Sequence, residues 1–258
     1  MAELNAHTSG PADGPPILAI HGVTGHGQRY DRVAREALPA HRVVAVDLRG
    51  HGRSTWLPPW HADQHVQDLL DTLDANGLQR VIVVGHSFGG LLATHLARTA
   101  PERVERIVLL DPAIALAPEA AAQHADDQRN PPSWASVDEA LAARRDLRPP
   151  QGYADSDADV HAHLQRGADG RFRFRFAPAA AVCAWSEMAR PAASLAGLDA
   201  PTLLVRAAQA DFVSDAVVDG LRADLGDAFA LETLDTSHML YWDAFDETAA
   251  VVRRFLGA

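Results

Sequence analysis

Residues 81–92 read Val81-Ile82-Val83-Val84-Gly85-His86-Ser87-Phe88-Gly89-Gly90-Leu91-Leu92. An apolar run meets Gly-x-Ser-x-Gly, and an apolar, helix-capable segment follows. That order is the sequence form of a serine on a tight strand-to-helix turn, its hydroxyl pushed out from the backbone. It points to Ser87 as a covalent nucleophile. The bare pattern is short enough to arise by chance, so the surroundings decide its meaning.

Working outward, short apolar runs alternate with longer helix-like stretches. Strands are expected at Pro16–His21, Arg42–Asp47, Val81–Gly85, Ile107–Asp111, Thr202–Arg206 and Phe229–Leu234. Each is rich in Val, Ile or Leu, as strands buried on both faces of a parallel sheet are. Helices are expected between them at Arg29–Leu38, His61–Asn76, Phe88–Ala100, Val213–Leu225 and Phe245–Leu256. Asn76-Gly77 supplies a C-cap, Pro101 a stop and Ser214 or Asp215 an N-cap. The alternation predicts an α/β fold with a mostly parallel, doubly wound sheet.

Residues 112–200 break the rhythm. Helices are expected there at Pro118–Gln128, Ser136–Leu147, Asp157–Gly167 and Pro178–Met188, with an extended segment at Arg171–Phe176. An excursion of this length is uncommon without a function. It reads as an inserted, mainly helical lid, and residues 1–111 and 201–258 read as the core.

Composition narrows the classes. A chain of 258 residues can bury one large core. Lys plus Arg total 23 against 34 Asp plus Glu, a net charge of −11. That balance argues against nucleic-acid and anionic-membrane partners and leaves a small-molecule substrate. The chain has no lysine, which excludes a Schiff base, pyridoxal phosphate attachment and a Walker-type phosphate loop. Cys183 is the lone cysteine, so no intrachain disulfide is possible. Met1–Pro16 is polar, without an apolar signal core, and no run reaches the length of a membrane span. A cytoplasmic setting is expected.

A serine hydroxyl needs a base to take its proton, and the base needs an orienting acid. In an open parallel sheet such groups gather at the carboxyl ends of strands. Asp211 lies five residues past the Thr202–Arg206 strand, and His238 lies just past Phe229–Leu234. Ser87, Asp211 and His238 therefore stand in the order nucleophile, acid, base.

With these residues in view, the chain resembles the α/β-hydrolase fold family over roughly Pro16–Asp111 and Pro201–Leu256. His21-Gly22-Val23 is similar to the family's oxyanion loop. Asp47-Leu48-Arg49-Gly50-His51-Gly52-Arg53-Ser54 resembles its Asp-x-Arg-Gly-x-Gly-x-Ser turn. Ser237-His238-Met239 resembles its histidine loop, although Gly is common where Ser237 stands. The resemblance implies that the backbone amides of Val23 and Phe88 form the oxyanion hole. It also implies no metal, nicotinamide or flavin cofactor. Asp111, in Leu-Leu-Asp-Pro, is the alternative acid, since some members place it there; it could equally be a turn residue before Pro112. Only about 16 residues precede the His-Gly strand, so a full N-terminal hairpin does not fit. The first strand is expected to be missing, with any second strand a short edge near Ala2–His7.

The implied activity is serine hydrolysis of a small, largely apolar ester or lactone through an acyl-enzyme on Ser87. A carbon–carbon bond hydrolase or cofactor-free perhydrolase would use the same frame, and a hydrolase-fold receptor is the rival from another class. Trp134, Trp185, Met188 and Met239 are candidates for the substrate pocket. The Asp47–Ser54 turn and His86 read as structural. His61 and His65 read as solvated helix histidines, Phe172, Phe174 and Phe176 as lid packing, and Arg171, Arg173 and Arg175 as a solvated face.

Overall fold

Ile17 and Ala19 face one side of a sheet, and Leu18 and Ile20 face the other. The period of two is that of an extended strand, and because both faces are covered, both sets are apolar. The computed structural model describes residues 4–258. β1 (Ala6–Ser9), β2 (Pro16–Ile20) and β3 (Arg42–Val46) come first, then α1 (Ala62–Ala75), β4 (Val81–His86), α2 (Phe88–Thr99) and β5 (Val104–Leu110). The stretch from 112 to 200 holds α3 (Pro118–Arg129), α4 (Val137–Arg145), α5 (Tyr153–His163), β6 (Leu164–Arg166), β7 (Phe172–Phe174) and α6 (Pro178–Met188). β8 (Thr202–Ala207), α7 (Asp215–Leu225), β9 (Phe229–Leu234), α8 (Leu240–Asp243) and α9 (Phe245–Leu256) follow.

The main sheet has seven strands in the order β1-β3-β2-β4-β5-β8-β9. β1 pairs antiparallel with β3, and every other pairing in this sheet is parallel. β1 overlaps the expected edge segment Ala2–His7 only at Ala6 and His7, and residues 2 and 3 of that expectation lie outside the described residues. One apolar layer packs α1, α2, α6 and α7 on one face; the other packs residues 30–38 and α9 on the opposite face. Among the described residues, no helix is long and apolar enough to cross a membrane.

Register places the strand ends that matter. The chain runs from β2 to β3 on one side, then returns to β4 on the other side of β2. Strand order therefore reverses between β2 and β4, and such a switch point opens a crevice at the carboxyl ends. Ile20 pairs with Gly85 across it. On the far side of β4, His86 pairs with Leu110. Ser87 and Asp111 are therefore the next residues on two adjacent strands.

Two expected helices differ from the sequence reading. Arg29–Leu38 is a 3-10 turn, Gly27–Tyr30, followed by a π turn, Val33–Ala37. α5 begins at Tyr153 and ends at His163, four residues before each expected bound, and Leu164–Arg166 pairs instead as a strand with Phe172–Phe174. Neither region has an apolar stripe strong enough to fix its frame, and tertiary packing sets the boundaries.

Candidate active site

β4 ends by turning sharply at Ser87, which has φ 54° and ψ −119° and caps α2. Such a backbone costs roughly 1–3 kcal/mol in a residue with a Cβ. The surroundings hold it there. The Ser87 amide donates to Leu110 O at 3.2 Å, and Ser87 O accepts from Gly90 N at 2.9 Å and Ala113 N at 3.1 Å. The elbow glycines are required by contact: a methyl at Gly89 would lie 2.1 Å from Ile20 O. At Gly22 a methyl would lie 2.9 Å from Ser87 Cβ, so the loop after β2 abuts the nucleophile candidate.

That loop carries Val23. His21 Nδ1–H donates to Gly22 O at 2.7 Å, and His21 Nε2 accepts from Leu48 N at 2.9 Å. Burial holds the His21 imidazole well below its usual pKa, so it stays neutral and makes both bonds. Among the described residues, the amides of Val23 and Phe88 have no acceptor. The two expected oxyanion donors are thus both unpartnered.

His238 stands over the end of β4. His86 Nε2–H donates to His238 O at 2.9 Å, and the two rings lie 4.6 Å apart. His86 therefore does more than pack beneath the turn. Phe212 stacks on the His238 imidazole at 4.0 Å. His238 Nδ1–H donates to Asp111 Oδ2 at 2.6 Å, and the Asp111 side chain is fully buried. Asp111 Oδ1 accepts from Ala207 N at 2.9 Å, which fixes the carboxylate at the carboxyl end of β8.

This arrangement corrects the expected acid. Asp211 is exposed and, among the described residues, makes no hydrogen bond, while Asp111 occupies the imidazole. The reason lies in register. Asp111 emerges one strand from Ser87, whereas the turn after Ala207 directs Phe212 to His238 and Asp211 to solvent.

Burial raises the Asp111 carboxyl to about 6. Burial, then Arg148 and His124, push His238 down to about 3. Near neutral pH the imidazole is therefore uncharged and Asp111 ionised. The carboxylate holds the tautomer with its proton on Nδ1, which leaves Nε2 as a free base. Among the described residues, neither Ser87 Oγ nor His238 Nε2 makes a hydrogen bond. Contacts of this kind commonly tighten only when substrate is present.

The expected pocket residues divide. Trp185 stacks on His124 at 4.4 Å and lies 6.3 Å from Phe212, in an aromatic series that ends on His238. Met188 is fully buried in the apolar layer with α2. Trp134 is buried in a small separate cluster with Ala140 and Val160, so it is core to the insertion. Met239 packs in the layer on the opposite face of the sheet, with Tyr241 and Trp242. His65 is buried edge-on to Phe88, which corrects its reading as a solvated histidine, while His61 is exposed and caps α1. Asp47 binds Gly27 N at 2.7 Å and Arg53 N at 2.8 Å, so its turn is scaffolding. Sequence reasoning missed Phe212 and Ala207. Phe212 follows Asp211 directly, and only that adjacency hinted at it.

A mostly parallel sheet with a serine elbow beside its switch point, two unpartnered amides and an Asp–His pair held from the next strand end defines a hydrolase-type architecture. The chain belongs to the α/β-hydrolase fold family, whose model, described as alpha/beta hydrolase fold, matches residues 15–245. It is 39% identical over 264 residues to Lipase LipV of Mycobacterium tuberculosis, covering 100% of this chain and 99% of that protein. It is 25% identical to Esterase YbfF of Escherichia coli, covering 93% and 92%. Among solved structures, E-2-(Acetamidomethylene)succinate Hydrolase superposes with a TM-score of 0.86 at 20% identity, covering 99% of this chain and 95% of that one. A marine microorganism esterase gives 0.82 at 19% identity, covering 99% and 100%. At these identities the structures speak for the fold alone.

Proposed function

We propose that this protein is a serine hydrolase that cleaves a small, largely apolar ester or lactone. Ser87 Oγ attacks the carbonyl carbon while His238 Nε2 takes its proton. Asp111 keeps the imidazole oriented and favours the cation that forms. The carbonyl oxygen becomes an oxyanion that receives the amides of Val23 and Phe88, each donor being worth about 3–4 kcal/mol of barrier. The α2 N-terminus adds its positive end there. His238 then protonates the leaving alcohol oxygen, and the C–O bond breaks to leave Ser87 acylated. Water, deprotonated by His238, attacks the acyl carbon, releases the carboxylic acid and restores the serine.

The observation that carries this reading is a strained serine at the end of β4, abutted by Gly22 of the Val23 loop, with a histidine beside that strand end whose Nδ1 is held by a buried carboxylate. The lipase and esterase names of relatives spanning nearly the whole chain support ester chemistry. Phe212 stacked on His238, with Trp185 behind it, favours an apolar group on the substrate. Residues 112–200 act as the lid that shapes this pocket. The single cysteine suits a cytoplasmic enzyme.

The test pairs short p-nitrophenyl esters and lactones with a fluorophosphonate probe on wild type and Ser87→Ala. Wild type should turn over and become labelled, and the variant should do neither. A wild type inert to both reagents, or a variant that still turns over, would remove Ser87 from the mechanism.

A further inference from the structure

The insertion grips the loop that bears Val23. Asp159 and His163 are four residues apart on α5 and so share one face of that helix. His163 Nε2–H donates to Thr24 O at 3.1 Å. Asp159 accepts from His26 Nε2 at 3.0 Å and from Arg29 through Nε at 2.6 Å and Nη2 at 3.1 Å. The His26 and His163 rings stack at 4.4 Å. All four side chains are buried or nearly so.

A buried charge of this kind needs a reason. Replacing a buried ion pair by apolar residues is often neutral or stabilising, so its presence argues weakly for stability alone. Its position is more informative. From below, His21 holds Gly22 O and Asp47 holds Gly27 N. From above, α5 holds Thr24, His26 and Arg29. Thr24 sits at φ 62°, a strained backbone that persists only where its surroundings over-determine it. Between these anchors the Val23 amide is left without an acceptor.

We propose that Asp159 and His163 are positioning residues for the ester-cleaving reaction: through the Thr24–Arg29 segment they hold the Val23 amide where the oxyanion forms. This rests on the reading of Val23 and Ser87 given above. Burial works against charge on Asp159, yet Arg29 and His26 hold its carboxyl well below the usual range, so the clamp stays ionised. Burial holds His163 well below its usual pKa, consistent with a neutral donor to Thr24.

The test uses His163→Ala, His163→Gln and Asp159→Asn in the full chain, with two readouts. Amide hydrogen exchange across residues 22–27 reports the clamp without reference to activity. It should speed up in His163→Ala and recover in His163→Gln, which restores a donor. kcat for a p-nitrophenyl ester, normalised to fluorophosphonate-labelled sites, should fall about 10- to 100-fold in His163→Ala and Asp159→Asn. KM should move less than about twofold, because ground-state binding is spared. Unchanged exchange would overturn the clamp. Faster exchange with unchanged kcat per labelled site would overturn its link to the oxyanion. If wild type lacks Ser87-dependent labelling, the serine reading fails by itself, and exchange still judges the clamp.

Discussion

Asp111 and Asp211 differ by one strand and a loop, and that difference decides which carboxylate meets His238. Asp111→Asn should lower kcat/KM by about 10³- to 10⁴-fold, because an amide no longer enforces the Nδ1–H tautomer. Asp211→Asn should lie within about twofold of wild type, as exposed groups without partners usually do. Steady-state kinetics on one ester decide it, and the reverse ranking would return the role to Asp211. The same carboxylate sets the acid limit. With Asp111 raised to about 6, protonation below that pH removes the acceptor for His238. kcat/KM should therefore be flat above about pH 7 and fall about tenfold per unit below about 6. Stopped assays across buffers check the limb, and a midpoint near the ordinary carboxylate value would contradict the burial argument. Ser87 and His238 could be placed near strand ends from the sequence because Gly-x-Ser-x-Gly and the loop after Phe229–Leu234 each follow a readable apolar run, whereas Val23 and Phe88 were expected through the family resemblance. The acid could not be fixed, because choosing between two strand-end aspartates requires register, and register is a long-range property.

At the scale of elements, the strands were legible and the irregular helices were not. Phe229–Leu234 and Pro178–Met188 have the expected bounds. Their apolar runs or flanking Pro leave one frame. The Gly27–Ala37 segment splits into two unlike turns because Tyr30 spends its hydroxyl on Ile20 O and Gly27 spends its amide on Asp47. Both bonds are tertiary and leave no local pattern. The turn after β3 is tied to α1 by Arg49, whose Nε and Nη2 each meet Asp68 at 2.6 Å. Arg49→Met would strand a buried carboxylate and should cost about 3–5 kcal/mol in urea denaturation. A loss below about 1 kcal/mol would mean that the turn is held by Asp47 alone.

Across the whole molecule, the crevice is framed from two sides. The sheet brings Ser87 and Asp111 to neighbouring strand ends, with His238 on Asp111, and the insertion reaches the loop opposite through α5 and the histidine loop through Arg148. Arg148 Nη1 donates to Asp243 Oδ2 at 3.2 Å, and Asp243 also receives the Ser237 hydroxyl beside His238. The acidic surface, the single cysteine and the apolar layers said nothing of this coupling, because Asp- and Arg-rich segments look solvent-exposed until a partner is found.

The elbow also sets an upper bound on how robust this protein can be while it works. At φ 54° and ψ −119°, position 87 has a backbone suited to glycine but bears a hydroxymethyl group. Ser87→Gly would relieve about 1–3 kcal/mol of strain and give back about 0.4–1 kcal/mol through a looser unfolded chain. The net gain of about 1 kcal/mol should raise Tm by about 2–4 °C while turnover disappears. A calorimetric scan of the variant would thus measure how much heat tolerance this chain gives up at a single residue to keep a hydroxyl at the strand-to-helix turn.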